Sequence, residues 1–571
     1  MTTQKPTDDA KENDAELRMI RYLYIGKEYT EYQPGNWFVH QYYSTDRVPS
    51  IEEMAIDKNT ETKPVEIIET VFKKDKNLVQ NFETLVFALA VCARQNKSEK
   101  LRHLAYSKVK SICAEPQHFL LFIKFADQIA KKNNTKHGWG HGWKKAVEEW
   151  YNSKNYLELA ECVTRYKSRY GWKHKDILKL SHISTGAKVE DKSQLAQIPE
   201  PVIVKNMIFC YVMNGLKELK KKYGDADDPA ISKHAKAVEI IKYLENVEDF
   251  KHCEDEVRAG GLVEMNNFTL DHVPGHLLKS EEVWNSLLVS MDYATLLENL
   301  QRIHNLGFLK PNSVSVAKVL DTLSSEEKIV SEKIHPAHIL IAAKNYENSG
   351  KPLSYEKRKV REEAKKQHPP PPKMNQKIVD ALYKSLNMAL SHVEPTGLRY
   401  LVTVDMGEKM QVSPVWHCGN MNAAEVGCLL ALSLLRSEKN VTVATFKDVG
   451  IHTANLEKNS TFGQALRRMQ QLPTGTVNLS KPMSWASYQN KKYDVFINIV
   501  HQISLKDDTS AEEITSYRTK MSLPDAKLIN CVLCDSTAYR LQKQIDKNIL
   551  TICGFDQCVP KIIEAFSKSF F

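Results

Sequence analysis

Asp405 closes the segment "RYLVTVD", in which Arg399 to Val404 reads as a short apolar strand. A strand that ends on an aspartate can offer hard oxygen ligands to a cation at the carboxyl edge of a sheet. The residues that follow are Met406, Gly407, Glu408 and Lys409, so the small hydroxyl residues that would complete such a site are missing. A second constellation is cationic. Within "TRYKSRYGWKHKDILKLSHI", Arg165 and Arg169 are four apart with Lys167 between them, and Lys175, Lys179 and His182 fall at i, i+4 and i+7. If both stretches are helical, each places its cations on one face, and two facing basic stripes make a groove. Ile177, Leu178 and Leu180 would then take the opposite side, leaving the cations unpaired with acids and open to phosphate.

Aromatic residues lie just upstream. Trp139, Trp143 and Trp150 accompany Lys144 and Lys145, and an indole beside cations can stack on an unpaired base. Trp143 and Trp150 are seven apart, the spacing of a buried helical stripe, which points to core packing. Trp139, among the glycines of "HGWGHG", is the stacking candidate.

Other chemistry finds little support. The chain holds 11 cysteines, an odd number, which fits reduced thiols better than a disulfide framework. Cys531, Cys534, Cys553 and Cys558 imitate a zinc ribbon, but "AKLINCVLC" reads as a strand, where residues three apart point to opposite faces. They are read as buried structural thiols. There is no phosphate-cradling glycine loop, no nucleophile elbow, and no histidine pair at metal-binding spacing on a helix, so no enzymatic activity is expected.

These residues need elements to position them. The 571 residues exceed what one core can hold, and 42% hydrophobic with 26% charged residues is ordinary for a globular chain. A net charge of +9 permits an anionic partner without demanding one. The longest uncharged run, Thr84 to Ala93, falls short of the roughly 18 apolar residues of a membrane span. The polar opening of the chain carries no secretory pattern, and a cytoplasmic, possibly also nuclear, location is expected. Residues 1–15 are expected to be disordered. From 16 to 350 the pattern is helical nearly throughout, in segments such as "ETLVFALAVCARQ" and "HAKAVEIIKYLENVEDF" that suggest stacked helix pairs. Residues 351–377 form a charged stretch with four consecutive prolines, a linker or exposed loop. From 378 to 571, "RYLVTVD", "NVTVATF", "DVFINIVH", "AKLINCVLC" and "LTICGF" alternate with helical segments, the grammar of an α/β doubly wound, mostly parallel sheet.

The segments "GWKKAVEEWYNSKN", "VTRYKSRYGWKHKDILKLSHI", "KIHPAHILIA" and "VEPTGLRYLVTVD" resemble the Ro family, the TROVE-domain RNA-binding proteins of Y-RNA ribonucleoproteins. The stretch from Trp150 to His182 is the most specific. The resemblance implies an α-helical ring of HEAT-like repeats, the TROVE domain, followed by a von Willebrand factor type A domain. It also implies binding of Y RNA on the outer basic surface, and of 3′ ends of misfolded small non-coding RNAs through a central hole, in RNA quality control. Family members place RNA-contacting residues at the positions of Arg165, Arg169 and His182.

For the second domain the resemblance implies a cation site of one aspartate, two serines, a threonine and a later aspartate. Here Asp405 and, in "PTGTVNLS", Thr476 match it, whereas the serine positions hold Gly407 and Lys409 and the third loop offers His501. Lys409 is expected to pair with Asp405, leaving a degenerate site with no divalent cation as cofactor. A monomer that binds RNA, with a possible protein ligand for the type A domain and no membrane partner, is the expected picture. The competing reading is a protein-interaction scaffold built on the same two domains.

Overall fold

The computed structural model describes residues 8–35, 43–74, 77–133, 140–166, 168–183, 192–351, 373–503, 508–535 and 546–571. The proline-rich stretch 352–372 lies outside them, as do Lys167 and Trp139. The chain forms two compact units, Met1–Leu23 with Tyr43–Ser290, and Tyr24–Tyr42 with Met291–Phe571.

The first unit is helical. Its amphipathic segments cannot bury their apolar faces alone, so neighbours stack: Glu83–Arg94 packs on Glu99–Ile112 and Pro116–Lys132, and Glu99–Ile112 on His141–Asn152. The uncharged run Thr84 to Ala93 is buried on all sides of its helix, which makes it a core element. Among the described residues no helix is long and apolar enough to cross a membrane. Trp150 stacks on Phe119 with ring centroids 4.0 Å apart and planes 5° from parallel, and its Nε1 donates to the Cys113 carbonyl at 2.6 Å. Trp143 stacks on Phe122 at 5.7 Å. Both indoles are core residues, as their seven-residue spacing suggests.

The second unit carries helices Tyr293–Asn305, Val314–Leu323, Pro336–Glu347 and Gln376–Ala389, and one sheet. Its strands are β1 (Glu31–Tyr32), β2 (Arg399–Val404), β3 (Asn440–Phe446), β4 (Ile451–Thr453), β5 (Val495–Val500), β6 (Lys527–Val532) and β7 (Ile549–Cys553). The order is β1-β7-β6-β5-β2-β3-β4, with every pair parallel except β3 with β4. Strands β5, β6 and β7 are buried at every position, as parallel strands covered on both faces must be. Helix Ala423–Ser437 lies so close to β2 that a Cβ on Gly427 would stand 2.6 Å from Val404 Cγ1. Glu425 serves this helix twice: Oε2 accepts from the Asn422 N–H at 3.0 Å, and Oε1 pairs with Lys344 at 2.6 Å. The first helix of the chain, Asp8–Ile25, begins inside the stretch 1–15, and helix Gln376–Ala389 begins inside 351–377.

At the far edge of the sheet, β1 comes from residues remote in sequence. The Thr551 N–H donates to the Thr30 carbonyl at 3.0 Å, and the Tyr32 hydroxyl donates to Asp556 Oδ2 at 2.6 Å. Asp556 Oδ1 in turn accepts from the N–H groups of Cys558 and Val559 at 2.9 and 3.2 Å, capping the last helix. Burial raises the Asp556 pKa, and these donors work against that rise.

Several histidines are held in their neutral form, His174 buried and His335 and His338 half-buried. Burial pushes His174 and His338 down to about 4 and His335, whose Nδ1 caps helix Pro336–Glu347 by accepting from Ala337 N–H at 3.1 Å, down to about 3. In the unfolded chain each protonates near about 6.5, so between that pH and about 4 the unfolded state binds more protons and stability must fall as pH falls. The melting temperature is therefore expected to be level above pH ~6.5 and to drop steadily below it, with a shallower drop for His335→Asn, which keeps a capping oxygen. Melting curves in buffers from neutral to mildly acid check this, and a flat profile would contradict it.

Candidate nucleic-acid interface and the strand-end carboxylate

Helix Tyr156–Thr164 starts on Asn155, whose side chain accepts from Glu158 N–H at 2.9 Å, and it ends before the first arginine. Arg165 is its C-cap, with its N–H on the Glu161 carbonyl at 3.0 Å. Arg165 and Arg169 therefore do not share a helical face. Arg169 and Trp172 instead exchange two backbone hydrogen bonds of 3.0 Å across a tight turn, and both central residues, Tyr170 (φ 54°) and Gly171 (φ 84°), are left-handed. Two consecutive positive φ values reverse the chain within two residues. Glycine adopts that conformation freely, whereas Tyr170 does so against its Cβ.

The turn and the cap bring the two guanidiniums to one point. Arg165 Nε lies 3.4 Å from Asp271 Oδ2, Arg169 Nη1 lies 3.7 Å from Oδ1, and the Tyr166 hydroxyl donates to Oδ2 at 3.0 Å. The expectation of cations unpaired with acids is thus corrected: an aspartate far along the chain stands between them. It is presented by the short turn Leu270–His272, which is closed by a reciprocal cap between Thr269 and His272. Burial, and then the carboxylate, push the Tyr166 hydroxyl up to about 12, so it remains a donor.

Aromatic rings interleave with these charges. The Arg169 guanidinium sits 4.8 Å from the Tyr166 ring centroid and 5.5 Å from that of Tyr170, and Lys124 Nζ lies 5.4 Å from Tyr170. Tyr166, Tyr170 and Lys124 were not candidates from sequence. The signal for the tyrosines was present in the repeated Arg-Tyr dipeptide of "TRYKSRYGW", whereas Lys124 enters from helix Pro116–Lys132 and only the fold reveals it.

The next helix, His174–Ser181, exposes Lys175 and Lys179 and buries His174, Ile177, Leu178 and Ser181. Among the described residues neither lysine has an ion-pair partner. Leu180 departs from expectation and is exposed, because the buried face turns past it to Ser181. His182 follows as the C-cap at φ 53°, exposed, its N–H on the Leu178 carbonyl at 3.2 Å. The arrangement is one turn-built arginine cluster followed by one exposed lysine face, in place of two helical stripes. Lys144 and Lys145 lie on helix His141–Asn152, where Lys145 is exposed and 4.0 Å from Glu149.

In the second unit, Asp405 follows β2. Its N–H donates to the Ile499 carbonyl at 2.8 Å, and its Oδ1 accepts from Gly407 N–H at 2.9 Å. Burial raises its pKa, against the Gly407 hydrogen bond and the nearby His501. Among the described residues Asp405 forms no ion pair with Lys409, which is exposed on the short helix Glu408–Val412; the expected pairing is corrected. Lys409 acts on His501 instead: burial, then the ammonium, lower the His501 pKa, and His501 Nε2 bonds Ser413 Oγ at 3.0 Å. Thr476 is engaged elsewhere, with both its N–H and its hydroxyl donating to Asp448 Oδ1 at 2.9 Å. Any Cβ at 407 would stand 3.1 Å from Asp405 Oδ1. Among the described residues no three His, Cys, Asp or Glu side chains are grouped to hold a metal. Asp405, Thr476 and His501 are the residues that could contribute ligands to a hard cation.

Comparison with known proteins agrees with this architecture. The TROVE domain model matches residues 41–396, and the Ro60 vWA domain model matches residues 399–567. The RNA-binding protein RO60 of Caenorhabditis elegans is 25% identical over 541 residues, covering 86% of this chain and 79% of that protein. The RNA-binding protein RO60 of Deinococcus radiodurans is 22% identical over 493 residues, covering 85% and 81%. The crystal structure of Deinococcus radiodurans RO (RSR) protein superposes with a TM-score of 0.77 at 20% identity, over 98% of this chain and 100% of that one. With a TROVE domain across most of its length and a Ro60-type vWA domain after it, the chain belongs to the TROVE family of Ro60 proteins.

Proposed function

We propose that this chain is an RNA-binding protein that works without catalysis, as the protein of a small cytoplasmic ribonucleoprotein. The observation that carries this is the cluster of Arg165, Tyr166, Arg169 and Tyr170. Two guanidiniums aimed at one anion, with aromatic faces beside them, form the chemistry that takes a phosphate and stacks its base. The exposed Lys175, Lys179 and His182 extend it along the chain. Relatives named as RNA-binding proteins support the reading. Y RNA as the ligand of the outer basic surface, and 3′ ends of misfolded small non-coding RNAs as ligands of a central hole, are the finer parts of the proposal and rest on the family resemblance.

A salt titration of RNA binding tests it. Replacing Arg165 and Arg169 together by alanine should weaken binding and make log affinity against log salt shallower by about one to two, while melting stays near the wild-type temperature. An unchanged slope would place the contact elsewhere. His182→Gly separates binding from capping, because glycine suits φ 53° better than histidine. Its melting temperature should hold or rise while RNA affinity falls; a fall in melting temperature alone would make His182 structural.

At the strand end of the second unit we propose that no divalent cation is held, since the Gly407 N–H already occupies Asp405 Oδ1 and Asp448 occupies Thr476. Millimolar magnesium should then leave the melting temperature unchanged. Asp405→Asn should raise it at neutral pH, because the amide oxygen still accepts from Gly407 and the cost of burying a charge disappears. The gain should shrink as pH falls through the raised folded pKa of Asp405, where the wild-type carboxyl is itself neutral. A magnesium-dependent rise that Asp405→Asn abolishes would restore a working metal site.

A further inference from the structure

Asp271 occupies the place at which the arginine cluster would take a phosphate. Its Oδ2 accepts the Tyr166 hydroxyl at 3.0 Å, whereas Arg165 Nε and Arg169 Nη1 stand at 3.4 and 3.7 Å. Charge-assisted N–H···O bonds close to about 2.7–2.9 Å. The carboxylate is therefore bonded to the phenol but only loosely attracted to the guanidiniums. All three charged side chains keep solvent access, 27% for Arg165, 31% for Arg169 and 36% for Asp271, although Arg165 Nε itself is buried, so the pairing is partly screened and open to exchange. The Leu270–His272 turn does not depend on this charge for its closure: it is closed by Thr269 and His272, with Thr269 N–H on His272 Nδ1 at 3.1 Å.

A carboxylate in this position has two consequences. Without RNA, it neutralises two like charges that would otherwise repel, and so keeps both guanidiniums pointing at one spot. With RNA, a phosphate entering that spot meets a negative charge and must displace it. We propose that Asp271 is an internal competitor for the phosphate subsite, a residue that sets how much additional contact an RNA must make before it is held. Ligands that touch only this cluster would be disfavoured, while those that also engage the Lys175, Lys179 and His182 face would offset the competition. The inference rests on the RNA-binding reading and names a regulator of that same site.

The test measures binding of a labelled oligouridylate and of a labelled small stem-loop RNA to the full chain across a salt series. Asp271→Asn, which keeps an acceptor for Tyr166 and removes the charge, should tighten both by about two- to five-fold at moderate salt, the scale of one screened ion pair. The slope of log affinity against log salt should steepen. Asp271→Ser should act in the same direction, which guards against one variant's misfolding. In a chain already carrying Arg165→Ala and Arg169→Ala, Asp271→Asn should change nothing, because the competitor has lost its subsite. Wild-type protein that binds RNA, with both charge-removing variants no tighter, would overturn this inference alone. Wild-type protein that binds neither RNA at any salt would overturn the RNA-binding reading as well.

Discussion

Two guanidiniums held side by side repel one another, and a negative charge between them offsets that repulsion; the candidate interface of this chain is organised around such a charge. Asp271 supplies the charge from more than a hundred residues away, while the chain near Arg165 supplies the geometry. The helix that would have carried Arg169 onward stops at Thr164, and the left-handed pair Tyr170 and Gly171 folds Arg169 back. Each feature would be unfavourable alone. A tyrosine at φ 54° is strained, and an arginine pair repels. Together with one carboxylate and two tyrosine rings they hold both guanidiniums at one point, an arrangement that would cost an incoming anion less ordering than two free side chains.

The parts of this structure that were legible in sequence are those that periodicity controls. Trp143 and Trp150 fall on the buried stripe their spacing indicates, and the five long strands of the sheet appear where apolar runs are bounded by turn residues. The misses have a common cause. Strand β1 has two residues and β4 has three, too short for any period to register, and β1 joins the sheet from the other end of the chain. Four-residue spacing between Arg165 and Arg169 was compatible with a helix, but the following Tyr-Gly pair is a turn signal that overrides it. Asp271 and Lys124 were invisible because neither stands near the arginines in sequence. Leu180 was assigned to the buried face although one residue at a helix end is enough to rotate it into solvent.

The second unit shows how little a residue's type says about its use. Asp405 and Asp556 both follow strands of the same sheet, and burial raises the pKa of both. Asp556 is met by a phenol and two backbone N–H groups, and so ties β1, β7 and the final helix into one corner. Asp405 is met by the Gly407 N–H and by His501, whose own protonation burial and Lys409 discourage. The first carboxylate is therefore a structural joint whose acceptors are nearly used up, and the second retains unused acceptor capacity at the edge where ligands of such sheets bind.

That contrast separates what holds the sheet together from what its strand end offers. In a sheet of this class the strands and helices depend on buried apolar faces and on close approaches such as Gly427 against Val404, none of which involves the ligands. Gly407 and Lys409 lie outside that core, the first half-buried and the second exposed. What bounds the strand end is local: the Gly407 N–H donates to one oxygen of Asp405, and the Lys409 ammonium lowers the His501 pKa. Acceptor capacity left on a carboxylate at this edge suits it to a partner that donates hydrogen bonds.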